Sequence, residues 1–194
     1  MFSLSQFLTY LVVIDFTPGP NTITAMSNSM RFGFKRTAPF FFGLLLGQSC
    51  IVALVALFGK ALYDYLPGVK PYMLVVGAAY MLYLAYKLWH NGPVQAGQAD
   101  KGAVTFVNGV LLQFVNVKFL LFVLTALSNY ILPYFKSLPA IAGMAFLLPL
   151  GGLCSCCFWA GFGTLFCGFY NRHAKLVNAV MALALVYCAV ALFF

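Results

Sequence analysis

The chain has 194 residues, of which 63% are hydrophobic and 7% charged, against about 25% charged in soluble domains, so a soluble fold is excluded. The formal net charge of +8, from 11 Lys and Arg against 3 acids, would suggest nucleic acid only if the cations formed a patch. They fall between apolar runs, where membrane insertion places them, and nucleic acid is discounted as a partner.

At about 20 residues per crossing, the length holds roughly six spans, used up by a single membrane domain over residues 1–194. The first apolar segment covers residues 4–30. It has no basic leader and no clean small-residue cleavage site, so it is expected to remain on the chain. In its middle stands Asp15-Phe16-Thr17-Pro18-Gly19-Pro20-Asn21. Pro18 and Pro20 lack amide protons, and their rings clash with carbonyls four residues back, so no regular helix passes through. Irregular backbone at membrane depth is tolerated only where protein or a water-filled cavity satisfies it, so this stretch is expected to line a site. Small polar residues, Thr22, Thr24, Ser27 and Ser29, follow it.

Arg31, Lys35 and Arg36 close the segment, and residues 37–59 run without a charge as a second span. Gly43 and Gly47, four apart, predict close helix contact there. Lys60, Asp64, Pro67, Gly68 and Lys70 predict a turn, and residues 71–89 a third span. Tyr63, Tyr65 and Tyr72 mark one boundary of that span and Trp89 the other, as interfacial aromatics do. Residues 91–103 are the one clearly hydrophilic stretch and read as a linker. The second half restarts at 104–133, interrupted by Gln113, Asn116 and Lys118. After Lys136 comes an uncharged stretch, 137–171, with a kink expected at Pro149-Gly151-Gly152. A basic loop at Arg172, His173 and Lys175 leads to a sixth span over 176–194.

Arg31, Lys35, Arg36, Lys87, Lys101, Arg172 and Lys175 fall on one side, and Lys60, Lys70 and Lys136 on the other. This bias places the first set in the cytoplasm and both termini in the periplasm. Three spans, a linker and three spans give an inverted repeat, with pseudo-repeats over 1–90 and 104–194. An offset of about 100 sets Pro39 on Pro139 and, with a small slip, the break at Pro18 near Asn116–Lys118. Interruptions at matching positions of two halves point to a midplane substrate site in a secondary transporter.

Broken helices expose amides at one new end and carbonyls at the other, which suits a zwitterion. Its carboxylate could take amides and Lys118, and its ammonium could take carbonyls and Asp15. Thr17, Pro18, Gly19, Pro20, Asn21, Gln113, Asn116 and Lys118 are the candidate substrate-binding residues. Asp15, the lone acid inside a span, is the candidate for proton coupling. Two readings of the pair stay open: direct coupling, or a structural bridge in which Asp15 and Lys118 neutralise each other.

The six cysteines, at 50, 154, 156, 157, 167 and 188, lie in or beside apolar segments and read as small packing residues. No His or acid accompanies Cys154-Ser155-Cys156-Cys157 to complete a metal site. His90 and His173 lack a neighbouring acid or nucleophile, so neither an enzyme nor a cofactor is expected. A thiol redox carrier would place a reactive cysteine within a broken segment, and neither segment contains one.

Thr17-Pro18-Gly19-Pro20-Asn21, Gly33-Phe34, Gly77-Ala78-Ala79-Tyr80 and Asn116-Val117-Lys118 resemble motifs of the LysE/RhtB amino-acid exporters, over essentially the full length. Gln113–Lys118, Thr125-Ala126-Leu127-Ser128 and the stretch 185–190 are most similar to the branch that exports cysteine and O-acetylserine. The resemblance implies a six-span efflux carrier of a bacterial inner membrane, driven by the proton motive force. Two positions depart from the family pattern. Asn116-Val117-Lys118 replaces Asn-Pro-Lys, so the second break is expected to be the gentler one, and an acid is not typical at Asp15.

The expectation is therefore an all-α integral membrane protein, with six helices in a 3+3 inverted repeat and helices 1 and 4 interrupted. It would export small neutral amino acids, with the substrate, protons and the lipid bilayer as partners; homo-oligomerisation is left open. The alternatives are a membrane thiol redox carrier and a non-transporting scaffold subunit.

Overall fold

The computed structural model describes residues 3–90, 105–191 and 193. The linker expected over 91–103 lies outside them, as do the side chains of Lys60, Tyr63, Asp64, Tyr65 and Lys70. All regular structure in the described residues is helical: α1 (Leu4–Phe16), α2 (Pro20–Phe32), α3 (Phe34–His90), α4 (Phe106–Val115), α5 (Val117–Ala126), α6 (Leu138–Leu165) and α7 (Cys167–Ala191). A π-helical turn, Leu127–Ile131, extends α5.

The first helix is broken where the prolines require it. Ser3 caps α1, which ends at Phe16; Gly19 is fully extended, and Pro20 opens α2 at its first turn, where a missing amide proton costs nothing. Thr22 closes the gap: Gly19 N donates to its hydroxyl at 2.9 Å, and the hydroxyl donates back to the Gly19 carbonyl at 3.1 Å. At the far end α2 stops on Gly33, whose φ of 83° is a conformation that favours glycine.

The second break has a different cause. No proline is present, and the interruption is the single residue Asn116, at φ −85° and ψ 84°. Its side-chain oxygen accepts from Phe119 N at 3.2 Å, capping α5 as Asn does at helix starts. The interruption is shorter than the first, yet α4 and the α5 segment bend by 67°. An asparagine cap thus breaks the helix without a proline.

Helical backbone is assigned from Phe34 to His90, across the turn expected over 60–70. It cannot be a straight rod, because at 1.5 Å per residue Phe40 and Tyr80 would stand about 60 Å apart. Both line one cavity, so the run doubles back between them. α6 runs through Pro149 as one helix, and α7 is two helical pieces joined at a kink on His173 (φ −130°, ψ 34°), within the basic stretch expected as a loop.

By length and composition, Phe34–Phe58, Leu138–Leu165 and Arg172–Ala191 can cross a membrane, and the bent pair from Phe106 to Ile131 makes a fourth candidate. The core is divided along the bundle. One cluster joins α1, α5 and α6 around Phe7, Val123 and Leu148. Another joins α2, the end of α3 and α7 around Ile23, Tyr170 and Leu185. Between them Phe40, Leu44, Leu112 and Ala160 form a middle layer. Large apolar side chains such as Leu57, Leu165 and Leu183 are exposed, as a lipid-facing surface requires.

Glycines allow the closest approaches. A Cβ on Gly43 would collide with the Phe106 carbonyl, and one on Gly109 with the Phe40 carbonyl. The two backbones therefore touch, as small residues permit in membrane helices. One turn on, a Cβ on Gly47 would lie 2.8 Å from Gln113 Cγ. This close contact carries α4 to the site.

Candidate functional site

The two helix breaks meet. Asn21, just past the first, and Gln113, just before the second, exchange a pair of hydrogen bonds: Asn21 Nδ2 to Gln113 Oε1 at 3.0 Å, and Gln113 Nε2 to Asn21 Oδ1 at 3.2 Å. Asn116 Nδ2 donates to the same Asn21 oxygen at 2.9 Å. Gln113 and Asn116 are 1% and 4% exposed, so each amide depends on these partners for satisfaction. Three of the candidate residues thus form one clasp across positions more than ninety residues apart in sequence.

The C-terminal end of α1 carries carbonyls that no helix continues to pair. Side chains from three other helices reach them. Lys118 Nζ of α5 donates to the Thr17 carbonyl at 2.8 Å, Ser155 Oγ of α6 to the Asp15 carbonyl at 2.6 Å, and Cys188 Sγ of α7 lies 3.9 Å from the Pro18 carbonyl. A cation at a helix C-terminus is also favoured by the helix dipole. The Thr17 hydroxyl turns back to the Val13 carbonyl.

Lys118 therefore pairs with backbone. Among the described residues no ion pair joins it to Asp15, and the buried Asp15 Oδ2 has no hydrogen-bond partner. The two side chains line one cavity without touching. Asp15 instead faces α6, where a Cβ on Gly151 would run into its carboxylate. The Gly-Gly pair expected as a kink acts as clearance.

Asp15, Thr17, Gly19, Pro20, Asn21, Asn116 and Lys118 line one small cavity, about 40 Å³ in volume. Pro18 and Gln113 stand outside its lining, Gln113 as part of the clasp. Four residues that sequence reading passed over complete the environment. Gln48, Gly152 and Cys156 line the cavity, and Ser155 holds the α1 end. Gln48 is 1% exposed, its Oε1 has no partner, and a Cβ on Gly152 would lie 2.7 Å from its amide nitrogen. A lone amide in the charge-free second span was the signal available for it. Cys156 and Cys188 bring thiols to the first break from α6 and α7, although neither broken segment contains a cysteine. The described cysteines, these two included, are unbridged.

The family profile described as LysE type translocator matches residues 12–194. The chain is 35% identical over 191 residues to the cysteine/O-acetylserine efflux protein of Escherichia coli (strain K12), covering 98% of this chain and 97% of that protein. The same figures hold for the proteins of that name from Shigella sonnei (strain Ss046) and Shigella flexneri. No solved structure matches. With helices able to cross a membrane and a profile match over nearly its whole length, the chain belongs to the LysE family of translocators.

Proposed function

We propose that the chain is a secondary active exporter of small neutral amino acids, cysteine and O-acetylserine foremost, working from the inner membrane and driven by the proton motive force. The observation that carries this reading is the junction of the two breaks, where the clasp of Asn21, Gln113 and Asn116 adjoins a cavity holding Lys118 and Asp15. Cavities beside broken helices supply partial charges of both signs, which match an ammonium and a carboxylate on one small molecule. The names of the relatives supply the substrates.

In this reading the six spans are a 3+3 inverted repeat, in which α1–α2 corresponds to α4–α5, the two arms of α3 are spans two and three, and α6 and α7 are spans five and six. Lys118 takes the substrate carboxylate when it leaves the Thr17 carbonyl, which then becomes free for the ammonium. Asp15 is the proton-coupling group, because a carboxyl held by no cation or amide can exchange its proton with water or substrate entering the cavity.

Flux of labelled cysteine and O-acetylserine into inverted vesicles, with and without an uncoupler, tests the reading. Wild type is expected to move both faster than empty vesicles, and failure to move either ends the substrate assignment. In Asp15→Asn the uncoupler-sensitive part of the flux is expected to disappear. Full uncoupler-sensitive transport by that variant would make Asp15 structural. The basic-loop bias places both termini in the periplasm, so a reporter active only in the cytoplasm and fused after Phe194 should be silent; activity there would invert the topology.

The thiol redox carrier is the second reading, favoured by the approach of Cys156 and Cys188 to the first break. It requires two cysteines to become disulfide-linked during turnover. Mass spectrometry of the protein recovered from transporting vesicles decides between the two.

A further inference from the structure

Along α2 the residues Asn21, Thr24, Asn28 and Arg31 follow at steps of three, four and three, which places them on one face of the helix. Asn21 lines the cavity at the breaks. Thr24, Asn28 and Arg31 line a second cavity of about 190 Å³, together with Lys87, Asn108 and Leu112. On α4 the order is matched: Leu112 faces the second cavity, Gln113 belongs to the clasp, and Asn116 faces the first. The amide clasp thus divides two cavities strung along the same pair of helices. From Asn21 to Arg31 the path is about 15 Å.

The second cavity lies where α2 and α3 end on Arg31 and Lys87 and where α4 begins. Arg31 and Lys87 face it, and no acid is found among its described lining residues. Asn28 is 5% exposed and its Nδ2 has no partner; the Arg31 Nε, also buried, has none. Unused donors of this kind are costly to bury without a ligand to receive them. Phe40 and Leu112 supply an apolar wall.

We propose that this second cavity is a docking site for the carboxylate of the amino acid, held by Arg31, Lys87 and Asn28 at the basic end of the bundle before the clasp admits the molecule to the breaks. The assignment rests on the export reading above. The amino acid's side chain lies on the wall of Phe40 and Leu112. The stripe on α2 offers Thr24 as the next polar contact toward Asn21. Two cations with no acid beside them select for the carboxylate end, so the substrate enters that end first.

The test uses the full chain in lipid nanodiscs with Leu111→Cys, at a cavity-lining position that is 53% exposed. Labelling of the introduced thiol by anionic sulfonatoethyl and cationic aminoethyl methanethiosulfonate is followed by peptide mass spectrometry. The anionic reagent is expected to react about fivefold faster. O-acetylserine should slow the labelling, while its methyl ester, which lacks the carboxylate, should not. Adding Arg31→Gln and Lys87→Gln should remove the charge preference and raise the protecting concentration about tenfold.

Equal rates for the two reagents in Leu111→Cys, or equal protection by acid and ester, overturns the site. Slowing by phosphatidylglycerol in the disc, with none by O-acetylserine, also overturns it and makes the ligand a lipid headgroup. Flux of Leu111→Cys in vesicles separates the two claims. Intact flux without protection faults the docking site, and protection without flux faults the export reading.

Discussion

Lys118→Met is expected to cut flux about a hundredfold while leaving the protein in the membrane at near wild-type levels. The size follows from losing a hydrogen bond made by a charged group, worth about 1.5 to 3 kcal/mol. Its ammonium is the group that ties α5 to the freed end of α1, at 2.8 Å from the Thr17 carbonyl. Met keeps much of the length and apolar stem of Lys, so the change falls on the charge and its donors. Asp15 forms no ion pair with Lys118 among the described residues. The double variant Asp15→Asn with Lys118→Met should therefore stay inactive. Recovery of flux in the double variant would mean that the two charges exist to cancel each other.

Gly19 offers a graded companion to that variant. A Cβ there would stand 3.2 Å from Lys118 Nζ and 3.3 Å from its Cδ, and the glycine backbone is extended, a conformation any residue adopts. Ala can thus be accommodated by a small shift of the lysine tip. A larger side chain must displace that tip from the Thr17 carbonyl.

How much of this was legible in the sequence depends on what kind of group carries each feature. Pro18 and Pro20 announce their break because a missing donor is a property of the residue itself. Asn116 was legible as an interruption, though its capping role depends on where Phe119 N comes to lie. The bond from Lys118 to the Thr17 carbonyl could not be read. Every residue has a carbonyl, and only the fold tells which ones a broken helix releases.

Asp15 was therefore the natural partner on paper, as the one acid in a span, and the structure gives Lys118 another. Gln48 and Gly152 were hidden by uniformly apolar surroundings, in which no period marks the face turned inward. The stripe of Asn21, Thr24, Asn28 and Arg31 was present as a period and was passed over because Thr22, Ser27 and Ser29 blur it. The reversal within α3 was expected from Pro67 and Gly68. It survives as the return of Tyr80 to Phe40, while the backbone between stays helical.

Asn21→Leu is the variant expected to do the most damage, since it removes three hydrogen bonds at once and inserts an apolar group between two amides. Gln113 loses both of its bonds to Asn21 and retains its 3.4 Å contact with the Gly109 carbonyl; Asn116 loses its donor's partner. Each buried polar group left unsatisfied costs about 1 to 3 kcal/mol, so the loss is about 3 to 6 kcal/mol for the clasp as a whole. A drop of that size should appear as an early thermal unfolding transition in detergent and as lost flux in vesicles. Gln113→Leu alone should cost less, because Asn116 keeps its bond to Asn21. The double variant Asn21→Leu with Gln113→Leu should be less damaged than the sum of the singles, since removing both ends of a buried pair leaves fewer orphaned groups. Simple additivity of the two would mean that the amides do not act as a unit. The two helix breaks would then be neighbours without being coupled, and the clasp could not serve as the partition between the two cavities.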